Sequence, residues 1–102
     1  MEVIAIHEDI KKRIKALSEV TQAQVVHLIE LLELREYHLA MPYSKRIEKD
    51  LYELRVLGEQ SIRIFYTFHK NRAVLLHLVT KKAQKLQKKD LETARKRILW
   101  LR

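Results

Sequence analysis

The sequence predicts an α+β fold: a small antiparallel sheet with an N-terminal helical hairpin and a C-terminal helix packed on it. The prediction rests on changes in hydrophobic period. Before Pro42, apolar residues recur at the helical interval. From Leu51 to Val79 they alternate, as in strands, and after Asp90 the helical interval returns. Helices and strands thus occupy separate stretches of the chain, and their apolar faces must be buried against one another.

Each element follows from local pattern. Val3-Ile-Ala-Ile6 is a short apolar run that predicts a first strand. Ile10, Ile14 and Leu17 predict a first helix. Ser18 to Thr21 interrupts it, and Thr21 with Gln24 three residues later reads as a capping box for a second helix. Val25, Leu28, Ile29 and Leu32 give that helix a wide apolar face, and two short consecutive helices predict an antiparallel hairpin. Pro42 ends any helical option.

In Leu51–Val56, Tyr52, Leu54 and Val56 share one face, with Glu53 and Arg55 on the other. After a turn at Gly58, Ile62, Ile64, Tyr66 and Phe68 alternate against Arg63, Phe65 and Thr67. A Lys70-Asn71 turn leads to Ala73–Val79, apolar on both faces and therefore a central strand. Short turns make these three strands an antiparallel meander. Lys81 to Lys89 reads as a basic loop, and Asp90 as the N-cap of a last helix carrying Leu91, Ala94, Ile98 and Leu101 on one side.

Composition narrows the function classes. At 102 residues the chain is expected to form one domain, 1–102. No apolar run is long enough to span a bilayer, and the start lacks a basic leader, so no membrane partner or signal peptide is expected. The absence of cysteine excludes disulfides and thiolate metal sites and fits a cytoplasmic location. Five histidines show no ligand spacing, so neither metal nor other cofactor is expected. The formal charge of +8 is unevenly placed: residues 81–102 carry nine basic and two acidic side chains, whereas residues 1–80 are nearly balanced. Such a field attracts a polyanion, nucleic acid among them.

Three segments then carry a family resemblance. Met41–Arg55 resembles the lead into the central sheet of phage-derived HigB-like toxins. Ser61-Ile-Arg-Ile-Phe-Tyr66 resembles their second sheet motif. Val74-Leu-Leu-His77 followed by Lys81-Lys82-Ala-Gln-Lys85 is similar to the third, where a strand exits into a lysine-rich loop. The resemblance implies a RelE/ParE-type fold and a type II toxin–antitoxin system. Its RelE/HigB branch is a group of mRNA interferases, endoribonucleases that cut mRNA, usually on the translating ribosome. The implied partner is a cognate antitoxin protein, often with a helix-turn-helix domain (HigA-like), that neutralises the toxin and with it binds operator DNA.

Metal-independent RNA cleavage needs a group to take the 2′-hydroxyl proton, cations to stabilise the phosphorane and help for the leaving 5′ oxygen. The planar fork of arginine suits the phosphate. Arg63 is expected to grip the scissile phosphate with Arg55 in support, while Lys82 and Lys85 share charge stabilisation and proton transfer. Lys81, Lys88, Lys89 and Tyr66 are expected to bind RNA. The chain departs from the family in having neither tyrosine nor histidine after His77, so a lysine, Tyr66 or His77 itself must serve as the base. The competing readings are a ParE-like inhibitor of DNA gyrase and an inactive RNA-binding module.

Overall fold

The computed structural model describes residues 1–80 and 87–102. The elements run β1 (Glu2–Ala5), α1 (Glu8–Lys15), α2 (Glu19–Arg35), a 3-10 turn (Glu36–His38), β2 (Ser44–Glu48), β3 (Leu51–Val56), β4 (Ile62–His69), β5 (Arg72–Thr80) and α3 (Lys88–Leu99). The five strands form one sheet in the order β1-β5-β4-β3-β2, with every neighbour antiparallel except β1 and β5. The α+β class and the meander are as the sequence predicts. The parallel edge pair arises because the α1–α2 hairpin separates β1 from the meander and returns the chain to the far edge of the sheet.

The hairpin covers one face. Thr21, Val25, Leu28 and Leu32 of α2 are buried at helical spacing, and with Ile10 of α1 they meet Leu54, Val56, Ile62, Ile64, Tyr66 and Leu75. On the opposite face α3 lays Ala94, Leu91 and Ile98 against Phe65, Val74 and Leu76. β5 is therefore apolar on both sides, as its sequence requires.

Three local expectations are corrected. The cap of α2 lies one turn earlier than Thr21: Ser18 is the N-cap, and its Oγ accepts from the Thr21 backbone N–H at 3.2 Å. Asp90 does not cap α3. Gln87 holds that position without a side-chain bond, and the Asp90 carboxylate turns instead to His77. Finally, β2 was not predicted. Its residues Ser44-Lys-Arg-Ile-Glu48 contain one apolar side chain, which suits an edge strand guarded by charge.

The turns show why their residues are there. Lys70 and Asn71, both with positive φ, link His69 to Arg72 in a two-residue hairpin loop of the kind that matches strand twist. Gly58 has no positive φ. A Cβ there would lie 2.5 Å from both amide atoms of Gln24, the far end of a flexible side chain.

Beyond Ala5, β1 no longer pairs with β5, and two arginines take its place. Arg97 of α3 donates to the Leu76 carbonyl at 2.8 Å, and Arg13 of α1 donates to the Leu78 carbonyl at 2.8 Å. Arg97 also binds the Asp9 carboxylate at 2.7 and 3.2 Å, which joins α1, β5 and α3 at one point. The Arg97 hydrogen bond, opposed by partial burial, holds the Asp9 carboxyl below its ordinary value.

Arg97→Ala removes these charge-assisted bonds and should cost about 1.5–3 kcal/mol in urea unfolding at neutral pH. Because the folded-state pKa of Asp9 is depressed, its contribution is present above the unfolded value of 3.8 and is lost as pH falls through the lower folded pKa. The stability gap between wild type and Arg97→Ala should therefore narrow in acid. A gap that does not depend on pH would argue against the ion pair.

Candidate active site

Strand register brings the predicted arginines together. Arg55 on β3 and Arg63 on β4 are directly paired, and Glu53 pairs with Phe65 two rungs along, on the same face. Alternation turns Glu53, Arg55 and Arg63 away from the helical hairpin. The Glu53 Oε1 stands 3.6 Å from Arg55 Nε and 3.7 Å from Arg63 Nε. Two like charges opposite one another would repel. The carboxylate between them makes the pairing tolerable.

The cluster is unevenly buried. Glu53 and Arg63 are 4% and 3% exposed, while Arg55 is partly open to solvent. Burial pushes the Arg63 pKa below its ordinary value; Glu53 opposes that shift and Arg55 adds to it. Among the described residues, Glu53 Oε2 and the Nε atoms of both arginines have no hydrogen-bond partner. The arginines of such a cluster retain donor capacity that a bound oxyanion could use.

His77 belongs to the same face because of a β-bulge. Phe65 pairs with His77 and Tyr66 with Leu75, which leaves Leu76 as an extra residue in β5. Leu76 and His77 therefore both turn toward α3. The His77 ring stacks on Phe65 with an 8° interplanar angle, and its Nε2 lies 3.0 Å from Asp90 Oδ1. This is a buried, hydrogen-bonded histidine two rungs from the arginine pair.

The other predicted residues divide clearly. Tyr66 faces the hairpin and is buried, with its hydroxyl bonded to Ser44 Oγ and its pKa raised by burial. That position sets it on the face of the sheet opposite the arginines. Lys88 and Lys89 are exposed at the start of α3, where Lys88 lies 3.8 Å from Glu92. Lys81, Lys82 and Lys85 lie outside the described residues.

Glu53 is the residue whose importance sequence reasoning missed. The available signal was its position two residues before Arg55, on the same strand face. Among the described residues no cluster of three or more His, Cys, Asp or Glu could hold a metal ion. Among them, too, no helix is long and apolar enough to cross a membrane.

Glu53→Ala strands the buried Arg63 charge and should lower stability by about 3–5 kcal/mol. A Glu53→Leu/Arg63→Met double variant should recover most of that loss in denaturant unfolding. Additive losses from the two positions would show that they are not coupled.

A family model described as Phage derived protein Gp49-like (DUF891) matches residues 12–99. Comparison with curated proteins gives no match.

Proposed function

Since the chain belongs to the Gp49-like family of phage-derived proteins, we propose that it is the toxin of a type II toxin–antitoxin system, an mRNA interferase that cleaves transcripts on the translating ribosome. The observation that carries this reading is the Arg55–Arg63 pair, held across one rung by a shared carboxylate. Two guanidiniums so placed suit the equatorial oxygens of a phosphodiester, whose charge rises as the phosphorane forms.

In this mechanism the ribose 2′-oxygen attacks the adjacent phosphorus. Its proton passes to a base, a new 2′-O–P bond forms, and the P–O5′ bond breaks. The departing 5′ oxygen takes a proton. The products are a 2′,3′-cyclic phosphate and a 5′-hydroxyl, so the nucleophile comes from the substrate itself. Arg63 grips the phosphate, and Arg55 supports it from the more open side. Glu53 is a positioning residue that keeps the two guanidiniums on one rung. Lys82 and Lys85 share transition-state stabilisation and proton transfer. Lys81, Lys88 and Lys89 track the RNA backbone.

The site has its effect in the cytoplasm, where mRNA is translated. Its inhibitor is a cognate antitoxin protein, HigA-like with a helix-turn-helix domain, and the toxin–antitoxin complex binds operator DNA. The basic C-terminal fifth of the chain favours ribosomal and messenger RNA as the surfaces engaged.

The test is brief induction in bacteria followed by genome-wide mapping of transcript 5′ ends. Wild type should arrest growth and create new ends inside translated codons. Arg63→Lys keeps the charge but loses the fork, and Lys82→Ala removes one cation. Each should lower cleavage by about 10²-fold or more. Growth arrest without new ends, accompanied by a DNA-damage response, would replace this reading with gyrase inhibition. Soluble protein that causes no arrest would leave a non-catalytic RNA-binding module.

A further inference from the structure

The proton that leaves the 2′-oxygen needs an acceptor on the arginine face, and the strands bring one there. His77 pairs with Phe65 of β4, two positions from Arg63, and the bulge at Leu76 turns it toward α3. With strands about 4.8 Å apart and about 3.4 Å of rise per residue, the backbones of His77 and Arg63 stand about 8 Å apart. Both side chains are therefore within reach of one nucleotide. Tyr66, also weighed for this task, is bonded to Ser44 on the opposite face.

The imidazole is oriented by its neighbours. Its Nε2 lies 3.0 Å from Asp90 Oδ1, and the two side chains remain 9% and 18% open. A carboxylate only accepts, so Nε2 carries the ring proton and Nδ1 carries the lone pair. Among the described residues Nδ1 has no hydrogen-bond partner, and it is not one of the sealed polar atoms that lack one. The ring lies parallel to Phe65, with 6.4 Å between centroids, which together with the Asp90 bond fixes its plane. Two departures from regular structure bring ring and carboxylate together. One is the extra residue in β5, and the other is an Asp90 that turns away from the N-terminus of its own helix.

We propose that His77 is the general base of the cleavage and that Asp90 is its positioning residue. Nδ1 takes the proton of the ribose 2′-hydroxyl as the 2′-oxygen forms its bond to phosphorus. The P–O5′ bond breaks with its electron pair, and the 5′ oxygen takes a proton from the Lys82 and Lys85 pair. The Asp90 carboxylate stabilises the imidazolium, which then gives its proton to water, and water restores the lysine proton. Arg63 and Arg55 hold the phosphate meanwhile. The assignment rests on the RNA-cleaving reading and adds to it the residue that starts the reaction.

The test is single-turnover cleavage of a short mRNA on programmed ribosomes by the full chain, with urea unfolding to show that each variant is folded. His77→Ala should lower the rate by about 10²-fold or more. Imidazole should restore part of it in proportion to its concentration, whereas pyrrole, of the same shape but without a basic nitrogen, should not. Asp90→Asn can donate its amide to Nε2, which moves the ring proton to Nδ1 and removes the acceptor. It should lower the rate by a similar factor, with the His77 ring nitrogen shifts reporting the new tautomer. This variant covers the case in which His77→Ala fails to fold.

An undiminished rate in folded His77→Ala, or in Asp90→Asn with its tautomer changed, would overturn the proposal. Rescue by pyrrole as well as imidazole would make His77 a packing residue and nothing more. Recovery of the His77→Ala rate on a substrate with sulfur in place of the 5′ oxygen, a leaving group that needs no proton, would also overturn its role as base. Wild type that cleaves nothing sinks the nuclease reading and the dyad with it, whereas cleavage that survives both variants sinks only the dyad.

Discussion

The architecture depends on how β5 completes its hydrogen bonding. The strand is longer than its parallel neighbour, so β1 satisfies only its first half. A buried carbonyl without a partner is costly, and here the missing donors come from helices. Arg13 and Arg97 serve as a substitute for strand, each reaching a β5 carbonyl from a different helix. Both helices are thereby placed relative to the sheet by backbone geometry as well as by apolar packing. Arg97 adds the link to Asp9, so α1 and α3 are also fixed relative to one another.

The same strand positions the chemistry. Its bulge at Leu76 turns His77 toward α3, where Asp90 meets it. Without that extra residue, strict alternation would send His77 into the hairpin core. The price is the helix cap: Asp90 serves the strand, and Gln87 leaves the α3 N-terminus without a side-chain acceptor. On the other side of β4, register alone sets Arg55 opposite Arg63 and makes Glu53 the common counter-charge. The candidate site is thus built on paired strands rather than on loops, which favours fixed geometry.

Much of this was legible in the sequence, and the failures have physical causes. The meander and the helical faces follow from period, since each side chain had only two faces to choose between. That Arg55 and Arg63 share a face was likewise readable. β2 escaped because an edge strand with charged side chains has no apolar alternation to reveal it. The bulge escaped because the run Val74-Leu-Leu-His77 is compatible with either phase when both faces are covered. Tyr66 was expected among the site residues, but it stands three positions from Arg63, an odd separation that turns it to the opposite face of the sheet. Gly58, read as a turn former, lies between β3 and β4, against the end of the Gln24 side chain.

The Asp9–Arg97 ion pair has a further consequence for synthesis. Its partners are 88 positions apart in the chain, so the contact closes late by necessity. While the chain is being made, α1 can dock on the sheet only after β5 exists, and the final clasp must wait for α3 to emerge. The Leu76 carbonyl is left without its Arg97 donor in the interim. A chain stopped short of Arg97 keeps the arginine pair of β3 and β4 but lacks the residue that locks both helices. Completion of the fold is in this way tied to the emergence of α3.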